Sequence, residues 1–436
     1  MAGLRRQPWL LVLPFLLILN LIGIVACGQR PIPLPNQDIQ LVCTDPPAFC
    51  RYDLATGMSS EDGSFERVFP LLNILPTEHG AIPQGKPVVI GETQSKTILW
   101  HEGEAFSEFD GMLDPAPVLP FGWVDPGKRR LAFSLGNTGL PGMFTLLDID
   151  SCDSSGCDAK PLVGLPVWSP DSSQMIVMQN TTLFPDSIVT TESFLSRGNR
   201  EGQSLTPIGT GFSPFWLDNE TYGYIRHGVS ETWMREIVIA SIANDEAQVL
   251  LTLEDLLETV PADHRLGKPS IRYIAVNPSD ANLLGIQLSD LLFYKSYVFL
   301  YERSEDPSQA GDVSLRLEVD DILWGLFFSP DGLRLTAGRH EERERRAWEL
   351  HVHDIDQNKT RIFTSDFSTL EPQRSAFHLT GYDWSSDGKW LAKINDGVID
   401  LIAPGYDYAQ EIEHDFPLQT CPIVAWTNRA EDQRLD

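Results

Sequence analysis

Phe328-Ser329-Pro330-Asp331-Gly332 is the stretch that decides the fold, because near copies of it recur along the chain. The strongest copies are Trp168-Ser169-Pro170-Asp171 and Trp384-Ser385-Ser386-Asp387-Gly388, and weaker ones begin at Trp123, Trp216 and Val276. Each copy is a large apolar residue followed by a turn and then by a run of alternating apolar residues. A unit of this kind repeated roughly every 50 residues is typical of a radial array of small β-sheets.

The polar part of the phrase predicts a tight turn. Proline fixes φ, aspartate accepts hydrogen bonds from nearby backbone, and glycine supplies a left-handed position. Residues 348–353 and 360–363 read as a third and a fourth strand of the same unit. Four antiparallel strands make one propeller blade, in which the aromatic residue fills the layer between blades. The predicted turn and packing positions are Trp168, Asp171, Phe328, Asp331, Gly332, Trp384, Asp387 and Gly388.

With these residues the chain resembles the WD-repeat-like propellers of the TolB type, which have a Trp-Ser-Pro-Asp-Gly phrase before the second strand of each blade. The resemblance covers residues 38–430 and implies an all-β chain with a single β-propeller of four-stranded antiparallel blades. The spacing gives eight blades, with one unit at 68–109 that lacks the phrase, or seven if the N-terminal part forms one irregular blade. N- and C-terminal strands are expected to pair and close the ring, which removes exposed sheet edges.

The N-terminus predicts export. Residues 1–26 have a basic start and an apolar middle, as in a signal peptide. They end in Ile24-Val25-Ala26-Cys27-Gly28, which resembles a bacterial lipobox and implies acylation of Cys27. Residues 27–37 are proline-rich and predict an extended tether, and 431–436 form a short tail. An uncleaved membrane anchor and soluble secretion are the alternatives. The expected location is the outer face of the cytoplasmic membrane or the cell envelope.

The charge balance limits the partners. The chain has 61 Asp and Glu against 33 Lys and Arg, a net charge of -28. Such a surface opposes binding to nucleic acid and to anionic lipid headgroups. The predicted partner is a protein or a cell-surface polymer, with the membrane reached only through the lipid anchor. We expect a monomer.

The cysteines suggest disulfides in an oxidising compartment. Cys152 and Cys157 flank a four-residue loop and are expected to pair. Cys421 would lie in the closing blade beside Cys43 or Cys50, and a disulfide there would lock the ring. The sequence does not decide between these two partners.

Two weak metal sites can be considered. His351 and His353 alternate along one strand, and a His-x-His pair can ligate a metal. Asp150 and Asp153 place two carboxylates near a short loop, but their spacing is not that of an EF-hand. The simpler interpretation is packing for the histidines and a disulfide-bonded turn for the aspartates. We therefore predict no metal and no cofactor.

The repeat is interrupted at three places. Residues 180–211 predict a long polar loop, residues 254–260 a short helix capped by Thr252, and residues 339–346 a charged hairpin tip. Catalytic motifs such as Gly-x-Ser-x-Gly and His-Glu-x-x-His do not occur in the sequence. The predicted function is a membrane-tethered, non-catalytic propeller that binds a protein or a surface polymer. The alternative is a small-ligand receptor or enzyme with its site at the mouth of the axial channel.

Overall fold

The structure is a computed structural model in which the chain separates into two units, residues 1–34 and 35–436. All of the first unit lies outside the described residues, including the predicted signal peptide and Cys27. In the described part of the chain, no helix is long and apolar enough to cross a membrane. The described residues are 35, 37–44, 47–54, 56, 58–71, 74–77, 80–83, 88–101, 104–110, 122–134, 143–153, 156–179, 193–227, 234–244, 246–264, 266–290, 292–304, 311–340, 347–366, 382–395, 398–406, 408–412 and 423–428.

Almost all regular structure in the second unit is β-strand. The described residues also contain one short helix, α1 (Leu253–Leu257), and one 3-10 turn at Pro404–Tyr406. The strands are β1 (Gln37–Thr44), β2 (Pro47–Asp53), β3 (Met58–Ser64), β4 (Arg67–Leu71), β5 (Ile74–Thr77), β6 (Gly80–Pro83), β7 (Val88–Glu92), β8 (Lys96–His101), β9 (Glu104–Asp110), β10 (Gly122–Val124), β11 (Arg130–Ser134), β12 (Met143–Asp153), β13 (Gly156–Val163), β14 (Leu165–Trp168), β15 (Gln174–Gln179), β16 (Phe194–Asn199), β17 (Thr206–Thr210), β18 (Phe212–Trp216), β19 (Thr221–His227), β20 (Met234–Ser241), β21 (Gln248–Thr252), β22 (Pro269–Val276), β23 (Leu283–Asp290), β24 (Lys295–Glu302), β25 (Asp312–Val319), β26 (Leu323–Phe328), β27 (Arg334–His340), β28 (Ala347–Asp354), β29 (Lys359–Asp366), β30 (Tyr382–Trp384), β31 (Leu391–Asn395), β32 (Val398–Ala403), β33 (Tyr408–Ile412) and β34 (Ile423–Asn428).

These strands form eight four-stranded sheets, the blades, and one separate hairpin, β5–β6. Blade 1 is β4-β7-β8-β9, blades 2 to 7 take the strands from β10 to β33 four at a time, and blade 8 is β34-β1-β2-β3. The predicted all-β propeller is therefore confirmed. The unit at 68–109, which has no turn phrase, is blade 1.

Blade 8 closes the ring. Its first strand, β34, comes from the C-terminal end and pairs antiparallel with β1, with Ile39 opposite Trp426. The predicted joining of N- and C-terminal strands is thus confirmed. The register ends with Val42 opposite Ile423, close to Cys43 along the chain. Cys421 lies outside the described residues, so its disulfide stays a prediction; Cys50 is buried in β2.

The first strand of each blade is innermost. First strands of neighbouring blades lie side by side, as for β18 and β22, β22 and β26, and β30 and β34. Blades that radiate from an axis come closest at their inner strands, whereas fourth strands such as β13 and β17 are largely exposed. The hydrophobic core accordingly runs as layers between blades, with one cluster joining blades 2 to 5 and another joining blades 5 to 7.

The alternation of strand direction gives the ring two different faces. Connections from first to second and from third to fourth strands lie on one face, which carries the turn phrases and is named the turn face. Connections from second to third strands and from blade to blade lie on the opposite face, named the loop face. Most of the longer connections begin and end at the loop face, because the strand ends that flank residues 111–121, 135–142, 180–192, 228–233, 253–268, 341–346, 367–381 and 413–422 all point there. The strand ends that flank residues 303–311 and the insertion between β4 and β7 point to the turn face.

One sequence prediction was wrong in extent. Residues 180–211 were expected to form a loop, but Phe194–Asn199 and Thr206–Thr210 are the third and fourth strands of blade 3. A four-stranded blade needs these partners, and tertiary pairing outweighs the polar composition of the segment. Only the part at 180–192 lies outside the described residues.

Candidate binding face

The turn phrases have a common internal structure. In the phrase at Ser169 the hydroxyl donates to Asp171 Oδ1 at 2.7 Å and accepts from the Gln174 N–H at 3.0 Å. Ser385 makes the matching contacts, to Asp387 Oδ1 at 2.7 Å and from the Trp390 N–H at 3.0 Å. The Ser173 N–H and the Ser169 hydroxyl donate to Asp171 and lower the pKa of its carboxyl. The recurring geometry is that of a hydrogen-bonded turn, in which the serine hydroxyl joins the aspartate side chain to the backbone of the following strand.

The phrases also join neighbouring blades across the turn face. These links are Gly127 N to Ser172 Oγ (2.7 Å), Asp171 N to Asn219 Oδ1 (3.0 Å), Asn277 Nδ2 to Gly332 O (2.8 Å), Arg334 Nη1 to Gly388 O (2.9 Å) and Ser386 N to Gln37 Oε1 (2.9 Å). The last of them involves the beginning of β1, so the chain enters the propeller at the turn face. The turn face is therefore largely committed to holding the blades together.

Large side chains at the phrase positions seal the layers between blades. Trp168, Phe328 and Trp384 are buried. At the weaker copies the indole also makes a cross-blade hydrogen bond, from Trp123 Nε1 to Pro166 O at 3.1 Å and from Trp216 Nε1 to Val167 O at 2.9 Å. These positions serve packing and do not form a ligand site.

His351 and His353 lie on β28 and are both buried inside the propeller. His351 Nε2 is 3.2 Å from Glu349 Oε2, and His353 Nδ1 is 3.0 Å from Thr360 Oγ1. Burial and, less strongly, the Arg316 guanidinium lower the pKa of His353 to about 4, against a smaller opposing effect of Asp354. In the described ranges no group of three or more His, Cys, Asp or Glu side chains is arranged to hold a metal ion.

Acid is expected to destabilise the protein through His353. The imidazole is neutral in the folded chain down to about pH 4, whereas an unfolded histidine takes up a proton near pH 6.5. The unfolded state therefore gains protons first, and the His353 contribution to stability declines as the pH falls from about 6.5 to 4. Urea unfolding at pH 7.5 and 4.5 should show a smaller pH dependence for His353→Gln than for the wild type. Equal pH dependence of the two proteins would contradict the assignment.

Asp150 and Asp153 lie on β12 beside the Cys152–Cys157 disulfide, which the structure contains as predicted. Asp150 is exposed and its carboxylate is 3.8 Å from the Arg129 guanidinium. This hairpin connects a third and a fourth strand, so it belongs to the turn face. The arrangement is that of a cross-linked surface turn.

The loop face presents a different kind of surface around blade 5. The connection between β23 and β24 exposes Leu292, Phe293 and Tyr294, whose exposed fractions are 60%, 44% and 56%. We name these three residues the apolar tip. The tip was not predicted, although four large apolar residues in a row, at positions 291–294 just after Asp290, were a visible signal in the sequence.

A buried carboxylate fixes the apolar tip. Asp290 Oδ1 accepts the N–H groups of Leu292 at 2.9 Å and Phe293 at 3.3 Å, and that of Lys268 at 3.2 Å from the next loop. Asp290 Oδ2 accepts the N–H of Gly267. One side chain thus ties the tip to the connection that enters blade 5.

Helix α1 lies on the same face, in the connection between blades 4 and 5. Thr252 caps it as predicted, with its Oγ1 accepting the Asp255 N–H at 3.2 Å and its own N–H donating to Asp255 Oδ2 at 2.7 Å. Leu253 and Leu256 are buried, while Glu254 and Asp255 face outward. The helix adds acidic groups to the loop face.

The axial channel is crossed by a structural element that the sequence did not reveal. The hairpin β5–β6 leaves blade 1 in place of a turn phrase, and β6 lies beside the innermost strands β22 and β26 of blades 5 and 6. These blades are on the far side of the eight-membered ring, so the hairpin spans its centre. The missing phrase in blade 1 is explained by this insertion.

Arg272 is the one buried cation that we find on an innermost strand near this hairpin. It occupies a bulge in β22 between the pairs Ile271–Leu288 and Tyr273–Gln287. Its exposed fraction is 8%, and burial lowers its pKa. In the described part of the chain no carboxylate pairs with it, and its Nε has no hydrogen-bond partner.

Neither a protein-family model nor a curated protein sequence matches this chain. Among solved structures it is similar to TolB from Acinetobacter baumannii, with 12% identity, a TM-score of 0.37 and coverage of 80% of this chain and 82% of that one. It is also similar to an oligogalacturonate lyase in complex with manganese, with 12% identity, a TM-score of 0.47 and coverage of 84% of this chain and 94% of that one. A prolyl endopeptidase is similar with 12% identity, a TM-score of 0.46 and coverage of 79% of this chain and 51% of that one. Likeness at this level concerns the propeller fold, which proteins with unrelated activities share.

Proposed function

We propose that the protein is a membrane-tethered, non-catalytic propeller that binds a protein partner through its loop face. One observation supports this most directly: the chain enters at the turn face, whereas helix α1 and the apolar tip lie on the opposite face. A tether acylated at Cys27 would therefore join the propeller at its turn face. Residues 27–37 in an extended conformation would span about 30 Å, which leaves the loop face free.

The tether makes a specific prediction. Cys27→Ser should move the protein from the membrane fraction to the soluble fraction, because a lipobox without its cysteine has no acceptor for the acyl chains. Mass spectrometry of the wild-type N-terminal peptide should show a modified Cys27. A variant that stays in the membrane, with the unmodified peptide in both proteins, would indicate an uncleaved anchor instead.

The binding face can be tested by photo-cross-linking in the native cells. A photoreactive amino acid is placed at Asp263 or Phe293 on the loop face, and at Leu333 or Tyr406 on the turn face. Leu333 and Tyr406 are suitable controls because their exposed fractions, 43% and 55%, are no smaller than about that of Phe293, 44%. Protein adducts are expected from the loop-face positions only. Adducts from the turn-face positions, or none from either face, would contradict the proposal.

The alternative of a small ligand in the channel has one supporting observation, the buried Arg272, which has no carboxylate partner among the described residues. A cation without a carboxylate partner would favour an anionic ligand. This alternative predicts that inorganic phosphate or a carboxylate binds the wild type in calorimetry and fails to bind Arg272→Gln. Equal heats of binding in the two proteins, or no heat of binding in either, would contradict the alternative of a small ligand. Two groups with strongly lowered pKa values give no support for a catalytic site in the channel, because neither lies on an innermost strand. His353 is on a third strand, and Lys393, whose pKa burial lowers to about 8, is on a second strand.

A further inference from the structure

The apolar tip differs from the other exposed apolar side chains of the described residues. Its three members are consecutive in sequence, whereas the other large ones stand singly: Val163, Phe194, Val249, Leu333, Ile362 and Tyr406. Single exposed apolar residues are normal on a soluble protein, but a contiguous group indicates an interaction site.

The tip is also held in an energetically unfavourable conformation. Tyr294 has φ +52°, a left-handed backbone conformation that costs a bulky residue free energy. The buried Asp290 carboxylate supports that conformation by binding the N–H groups of Leu292 and Phe293. Leu292 also packs on Gly267, where an added Cβ would lie 2.8 Å from Leu292 Cβ. A fixed tip loses little conformational freedom when a partner binds.

Acidic side chains outnumber basic ones among the described residues around the tip, where the lysines are the exposed Lys268 on the neighbouring loop and Lys295. Lys295, the nearest cation along the chain, is already paired with Glu318 at 3.1 Å and Asp320 at 3.0 Å. These carboxylates raise the pKa of Lys295. Asp263 and the outward side of α1 add further negative charge on the same face. An apolar centre with an acidic rim is complementary to an apolar cleft with a basic rim.

We propose that Leu292, Phe293 and Tyr294 insert as one anchor into an apolar cleft of a partner protein whose rim is lined by Lys and Arg. This inference rests on the proposed function and names the chemistry of the partner. A bilayer with anionic headgroups would be repelled by the rim carboxylates. A second copy of this chain, docked through the same surface, would bring the same acidic groups together.

The test keeps the reporter separate from the anchor. A photoreactive amino acid at Asp263 reports on binding, since the Asp263 side chain is exposed and takes no part in the Lys295 ion pairs. Into this full-length chain we introduce either Phe293→Ser or Leu333→Ser, the second being the matched change on the turn face. Both side chains are exposed, so equal urea unfolding midpoints will verify that both variants are folded.

We expect Phe293→Ser to reduce the adduct at position 263 by roughly tenfold or more, as for an aromatic hot spot, and Leu333→Ser to leave it unchanged. The cross-linked peptide of the partner should be apolar and flanked by Lys or Arg. An undiminished adduct in Phe293→Ser would overturn the anchor but not the binding face. An acidic partner peptide, a lipid adduct or an adduct with a second copy would also overturn it, and no adduct in any protein would overturn the proposed function as well.

Discussion

Trp426→Ala is expected to lower the free energy of unfolding by about 3–5 kcal/mol, the range for truncating a large core side chain. Trp426 is buried on β34, the strand that closes the ring. Its Nε1 donates to Asp383 O at 2.7 Å, and its backbone N–H donates to Asp383 Oδ2 at 3.1 Å. The substitution removes both the packing and the indole hydrogen bond at the junction of blades 7 and 8.

Chemical denaturation measures this loss. Tyr406→Ala is the control, because Tyr406 is an exposed aromatic residue and its truncation should change the stability by no more than about 0.5 kcal/mol. A decrease below about 1 kcal/mol for Trp426→Ala would mean that β34 does not hold the ring closed.

Gly332→Ala is expected to lower the free energy of unfolding by about 2–5 kcal/mol, from two separate causes. Gly332 has φ +72°, where a residue with a Cβ loses roughly 1–2 kcal/mol. An added Cβ would also collide with the Ser279 hydroxyl and the Asn277 amide oxygen of the neighbouring blade. Overpacking of this kind costs about 1–3 kcal/mol.

Gly202→Ala separates the two causes. Gly202 has a nearly equal φ of +67°, but its added Cβ would lie 3.0 Å from the nearest atom, Leu162 Cδ1, and would not overlap polar atoms as it does at Gly332. Denaturant titration should show Gly202→Ala losing about 1–2 kcal/mol, the backbone cost alone. If the two variants lose equal stability, the phrase turns do not couple neighbouring blades.

The repeat allowed the scaffold to be predicted because its information is local. Ser329, Asp331 and Gly332 specify the turn within a few residues of one another, and the period of the copies specifies the blade. Ring closure could also be predicted, since a strand without a partner at each end of the chain is visible in sequence. The disulfide at Cys152 followed from the short loop that it closes.

The features that distinguish the two faces depend on contacts between distant parts of the chain. The tip is exposed because Asp290 holds it against residues 267–268, and the apolar pattern of 292–294 alone does not separate a tip from a buried strand. The hairpin β5–β6 reaches strands β22 and β26, which lie far along the chain. The position of this hairpin at the centre of the ring therefore cannot be predicted until the blades have been arranged in space.

Hydrogen–deuterium exchange of the propeller, alone and with the partner captured at the loop face, tests the central claim most directly. We predict that the partner slows exchange in residues 253–264 and 292–295 on the loop face. Exchange in the turns at 329–333 and 385–389 should not change. Protection of those turns, with none at 253–264 or 292–295, would place binding on the turn face and contradict the account.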